Sequence, residues 1–153
     1  MGAMDDRLTA FGNQLIDSHI RLRELLAELR DGTYTGIDLQ THCLTFCTVL
    51  TAHHEAEDDD RFPVLGKHYP ELEHVLAELS RDHRQIGAIL DRLNDPANVT
   101  IGELDTLAAL LETHLVYEEK KLVAALNRLT VAGDEARAVA RAVALVAGPG
   151  RAL

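Results

Sequence analysis

His53-His54-Glu55-Ala56-Glu57 and His114-Leu115-Val116-Tyr117-Glu118 are the two stretches on which the fold turns. Each sets a histidine four residues ahead of a glutamate. On an α-helix, positions i and i+4 lie on one face, one turn apart. Each stretch is therefore a two-ligand half-site for a metal ion, provided that its surroundings are helical and the pair faces inward.

The surroundings carry helical periodicity. Upstream of the first pair, Leu39, Cys43, Phe46 and Leu50 step by 3 and 4 into His53 and Glu57, which predicts a helix over about 37–60. The acidic run 57–60 lies at the wrong end of that helix for its dipole, so a compensating cation or a longer helix is required, and most of the run is expected on solvated surface. Phe62-Pro63 closes the segment. Leu104, Leu107 and Leu111 lead into His114 and Glu118, followed by Leu122 and Leu126. That helix is expected from Thr100, where Glu103 completes a capping box, to about Leu129.

Two more helices follow from the same reading. Leu8, Phe11, Leu15, Leu22, Leu25, Leu26 and Leu29 form a stripe over about 4–30, with His19 inside it and a stop at Asp31-Gly32. Leu72, Val75, Leu76, Leu79, Ile86, Leu90 and Leu93 form another over about 70–94, with His83 inside it. Pro70 suits a first turn, and the cluster 94–98 is a turn. Residues 134–147 give a short Ala-rich fifth helix before Gly148-Pro149-Gly150. The expected fold is all-α: one domain over 1–153, with an up-down-up-down four-helix bundle over about 4–130. The fifth helix could cover the bundle or pair with a second copy as a homodimer.

Composition agrees and excludes other classes. The chain has 153 residues, no Trp and 4% aromatics, which favours helices over a β-sandwich or barrel. A net charge of −10 argues against nucleic acid and anionic membranes as partners. No apolar run approaches the roughly 18 residues of a membrane span, and no charged-then-apolar leader opens the chain. The expected compartment is the cytoplasm. Cys43 and Cys47 are expected as buried reduced thiols, with a redox role as the alternative.

The two halves resemble each other. Asp17-Ser18-His19 with Leu22, Leu25, Leu26 and Leu29 lines up with Arg81-Asp82-His83 with Ile86, Ile89, Leu90 and Leu93. His53-x3-Glu57 lines up with His114-x3-Glu118. A lone histidine on an apolar stripe is usually a satisfied core residue, and one His-x3-Glu is commonly a surface pair. Four inward histidines and two inward glutamates in matched order are different, because burying them without a cation is very unfavourable. Imidazole plus carboxylate without thiolate suits iron, manganese or zinc. Glu57 and Glu118 could each bridge two ions, and a solvent-derived oxo or hydroxo bridge would complete five ligands per ion.

The order His, His-x3-Glu, His, His-x3-Glu resembles the hemerythrin-like, or HHE cation-binding, family over about residues 8–130. Glu57-Asp58 before Phe62-Pro63 is similar to the acidic pair before an aromatic-proline found in that family, a register that favours His53 over His54 as ligand. The resemblance implies two iron ions in a non-haem centre. His19 and His53 would hold one, His83 and His114 the other, with Glu57 and Glu118 bridging. The centre itself would be the catalytic element, with no separate catalytic residue. Oxygen carriers of the family have a fifth histidine where this chain has Gly87. Its absence implies a more open iron, suited to hydrogen peroxide or another small oxidant, a catalase-like reaction in oxidative or nitrosative stress. The competing readings are binding of O2, NO or iron for sensing, carriage or storage, and an oxygenase acting on an organic substrate.

Tyr117, one position before Glu118, borders the site. It could ligate, donate to a bound oxygen species, or be an ordinary core tyrosine with its hydroxyl at the rim. His54 and Glu55 either stand just behind the ligands or face solvent, and solvent is the expectation; His42, His68 and His74 are expected on the surface.

Overall fold

The stop predicted at Asp31-Gly32 ends helix α1 (Gly2–Arg30): Gly32 takes φ +84, a left-handed conformation that glycine adopts without a Cβ penalty. The computed structural model describes residues 2–126, with side chains from residue 10. The described chain is helical apart from short turns and contains no strand. After α1 come α2 (Gly36–Ala56), α3 (Phe62–His68), α4 (Glu73–Leu93) and α5 (Ile101–Glu118). The expected fifth helix at 134–147 lies outside the described residues, as do the end of the last bundle helix and the side chain of Leu8.

Two corrections concern helix ends. The sequence reading closed the second helix at Phe62-Pro63, but the helical path continues through a π turn (Glu57–Arg61) into α3. In that turn the Phe62 N–H donates to the Glu57 carbonyl, five residues back. Ordinarily a proline ring collides with the carbonyl four residues earlier. The wider turn just ahead of Pro63 loosens that register, and π turns are favoured at functional sites. The acidic run therefore lies inside a longer helical segment, one of the two ways its unfavourable position could be relieved. A second π turn (Glu119–Val123) follows α5, so both His-x3-Glu motifs run into one. The capping box is only half formed. The Glu103 N–H donates to Thr100 Oγ1 at 3.3 Å, while the Glu103 carboxylate accepts from Arg92 instead of returning to Thr100.

Residues 18–118 form one compact unit. Its core draws on four helices: Leu22, Leu26 and Leu29 of α1; Cys43, Phe46, Cys47 and Leu50 of α2; Ile86, Leu90 and Leu93 of α4; and Leu104, Leu107, Leu111 and Leu115 of α5. Those are residues of the predicted stripes, with Cys47 and Leu115 added; Leu25 and Leu39, expected inward, are only partly buried against them. Both cysteines are buried and free, as expected. Paired Arg23–Glu112 and Arg30–Asp105 contacts, each 2.9 Å, join α1 to α5 outside this core. Among the described residues, the second unit joins those up to Asp17 with those from Glu119 to Leu126. There a Cβ built on Gly12 would stand 3.3 Å from Leu126 Cδ1, so the small residue lets the two segments approach closely.

Candidate metal centre

The core stripes of the larger unit end in polar groups at one level. His19 of α1, His54 of α2, Glu57 at the π turn, His83 of α4, and His114 and Glu118 of α5 are buried, and the His53 side chain is only 9% exposed. Their ligand atoms fall into two four-membered clusters that share Glu57. One holds His19, His53, Glu57 and Glu118; the other holds His54, Glu57, His83 and His114. Within each cluster these atoms lie within 4.8 Å of one another.

Both carboxylates straddle the clusters. Glu57 Oε1 stands 3.3 Å from His53 Nε2 and 3.4 Å from His83 Nε2. Glu118 Oε2 stands 3.6 Å from His19 Nε2 and 3.4 Å from His114 Nε2. Each carboxylate thus reaches one imidazole of either cluster, the arrangement of a bridging ligand. These spacings are too long for good hydrogen bonds. Nε2 of His53, His54, His83 and His114, and all four oxygens of Glu57 and Glu118, are buried without a hydrogen-bond partner among the described residues. A buried unsatisfied polar atom costs about 1–3 kcal/mol, and native structures hold few of them. Eight lone-pair donors converging on two points fit a pair of cations, and imidazole with carboxylate fits iron, manganese or zinc.

The electrostatics carry the same message. Burial pulls the His53 imidazole down to about 4 and His54 further, so both rings are neutral and their lone pairs available. Burial also lowers His83, partly offset by Asp58. On His114 burial again disfavours the proton, but Glu118 and Asp82 outweigh it and the group rises. Burial and the facing Glu118 push Glu57 well above the usual carboxylate range. Burial opposes charge on Glu118 too, yet Glu57, His114 and His19 hold it down to about 2. Two buried carboxylates face to face cannot both be charged cheaply without a cation between them.

His83 and His114 each carry a second partner. His83 Nδ1–H donates to Asp58 Oδ1 at 2.9 Å, and that oxygen also accepts from Ser80 Oγ at 2.7 Å. His114 Nδ1–H donates to Asp82 Oδ2 at 3.0 Å. Asp58 belongs to the run expected mostly on solvated surface; of that run Asp59 and Asp60 are exposed, while Asp58 is partly covered.

His54, expected to face solvent, is 6% exposed and stacks on His83 with ring centroids 3.8 Å apart and planes 11° apart. It brings a fifth imidazole to the site, where the sequence favours a solvent-facing residue over one just behind the ligands. At about 100° per residue, positions 53, 54 and 57 cover an arc of about 100°, and His54 lies four residues after buried Leu50. That spacing was the available signal. Glu55, His42, His68 and His74 are exposed, as read. The Tyr117 hydroxyl donates to Glu78 at the rim, and Glu78 in turn meets His74 Nε2 at 2.8 Å. Gly87 has no described atom within 4 Å of a built Cβ, so no close packing requires a glycine there.

An all-helical chain whose core stripes converge on five imidazoles and two carboxylates is built as a cation-binding helical protein. The chain belongs to the Hemerythrin HHE cation binding domain family, whose model matches residues 12–126. No curated protein and no solved structure matches it.

Proposed function

We propose that the chain holds two iron ions and takes up a small oxygen-type ligand, O2 or NO, between its helices. His19, His53, Glu57 and Glu118 would hold one ion. His54, His83, His114 and Glu57 would hold the other, with Glu118 as a second bridge. Iron so held supplies an exchangeable coordination position and one-electron chemistry. The protein's own part would be to keep His53, His54 and His83 neutral, to exclude water, and to hold both carboxylates between the ions.

The observation that carries this reading is the fifth imidazole. The peroxide-decomposing reading rested on the gap at Gly87, which would leave one ion short of a ligand. His54 supports filling that deficit from α2. The ligand set would then be three imidazoles on one ion and two on the other, which would leave the ion held by His19 and His53 with the fewer imidazoles. Binding of a diatomic ligand is then favoured over turnover of hydrogen peroxide. The complete burial of His19, Glu57 and Glu118 restricts any ligand to a few atoms. Short connections after α1 and α4 support an up-down-up-down order of the four long helices. Among the described residues no helix is long and apolar enough to cross a membrane, and the charge of −10 disfavours polyanionic partners.

The test is to load the reduced protein with ferrous iron and follow absorption while O2 or NO is added and removed. An adduct that forms and reverses supports the proposal. Oxygen evolution from hydrogen peroxide well above that of free iron, with no reversible adduct, would replace it with the catalase-like reading.

A further inference from the structure

The same cluster holds both Asp–His pairs, and nothing in the proposed ligand set uses those aspartates. Asp58 reaches His83 from the π turn and is steadied by Ser80; Asp82 reaches His114 from α4. Both acceptors are only partly covered, with side chains 34% and 37% exposed, while the rings they touch are buried. Since a carboxylate accepts and does not donate, each contact puts the ring proton on Nδ1 and leaves Nε2 bare. Those are the Nε2 atoms that stand at 3.4 Å from Glu57 and Glu118. Partners of this kind fix a ligand ring's tautomer and orientation and raise its basicity.

We propose that Asp58 and Asp82 are positioning residues that lock His83 and His114 as Nδ1–H tautomers and, through two of its three imidazoles, stabilise the oxidised state of the ion held by His54, His83 and His114. The proposal rests on the two-iron reading above. It makes the two aspartates the control on the pair's reduction potential, although neither would touch an ion.

The experiment separates the tautomer from the charge and both from the metal. Imidazole nitrogen shifts of the metal-free protein should report Nδ1-protonated His83 and His114. Asp58→Leu should release His83 into a tautomer mixture, and Asp82→Leu should do the same to His114. Asp58→Asn and Asp82→Asn keep an acceptor oxygen and remove the charge. On iron-loaded protein each should favour the reduced state about tenfold at fixed potential, about 59 mV for a one-electron couple. Each should also weaken iron retention against a chelator by about 10–100-fold. Asp59→Asn, an exposed neighbour, should change neither. Unchanged tautomers in the leucine variants, or potentials matching Asp59→Asn in the asparagine variants, would overturn the proposal. Wild-type protein that retains no iron would overturn the two-iron reading and, with it, the control of potential; the tautomers in metal-free protein would still decide the positioning.

Discussion

Replacing His54 with leucine should move the metal-free and metal-loaded proteins in opposite directions. Without metal, His54 is a neutral ring, 6% exposed, whose Nε2 has no hydrogen-bond partner among the described residues. Leucine has similar volume and no polar atom. Removing one orphaned buried nitrogen should stabilise the metal-free protein by about 1–3 kcal/mol, less a few tenths for the lost stacking on His83. With metal, the variant loses one of three imidazoles on its ion. If affinity falls 100-fold, stabilisation by excess metal falls by about 2.7 kcal/mol. Urea melts of both forms read the two signs, and iron content should fall from two per chain toward one. A core histidine with no ligand role gives another pattern: both forms shift together and iron content stays at two. That outcome would refute the placement of His54 in the centre.

Gly87→Ala should stabilise the protein by about 0.5–1 kcal/mol, because a Cβ there meets nothing within 4 Å and the helix loses a flexible residue; a loss of stability in thermal melts would contradict the open space. The metal-free protein should weaken as pH falls from about 6.5 to 4. The unfolded chain binds a proton on residue 53 near the ordinary histidine value of 6.5, whereas the folded one resists until about 4, so about 3 kcal/mol of His53's own contribution is lost across that window; stability that is flat in denaturant titrations over this range would contradict a buried neutral His53. Phe46→Ala should cost about 3–5 kcal/mol, since the ring is 1% exposed among core leucines; a loss under 1 kcal/mol in the same titrations would contradict that packing.

The helices and most of their inward faces were legible because apolar residues recur at steps of 3 and 4. In α4, Leu76, Leu79, His83, Ile86, Leu90 and Leu93 are all buried, and the sequence singles out each of them. Three features escaped that reading for separate reasons. His54 is adjacent to His53, and a narrow stripe admits only one of two neighbours, whereas a core-facing sector about 100° wide takes both. Pro63 reads as a stop because the rule assumes α-helical register, and the π turn ahead of it changes that register. Asp58 and Asp82 have the composition of surface residues; their value comes from the rings they meet across the helices, which no local period encodes. Gly87 was legible as a position without an imidazole, whereas the further buried imidazole, His54, stands on another helix, α2.

The central claim is that five imidazoles and two carboxylates hold two ions. The most direct measurement is anomalous diffraction at the iron edge from crystals of iron-loaded protein. The account predicts two peaks per chain, one enclosed by His19, His53, Glu57 and Glu118 and the other by His54, His83, His114 and Glu57. A single peak, or a second one that leaves His54 outside its ligands, would contradict it.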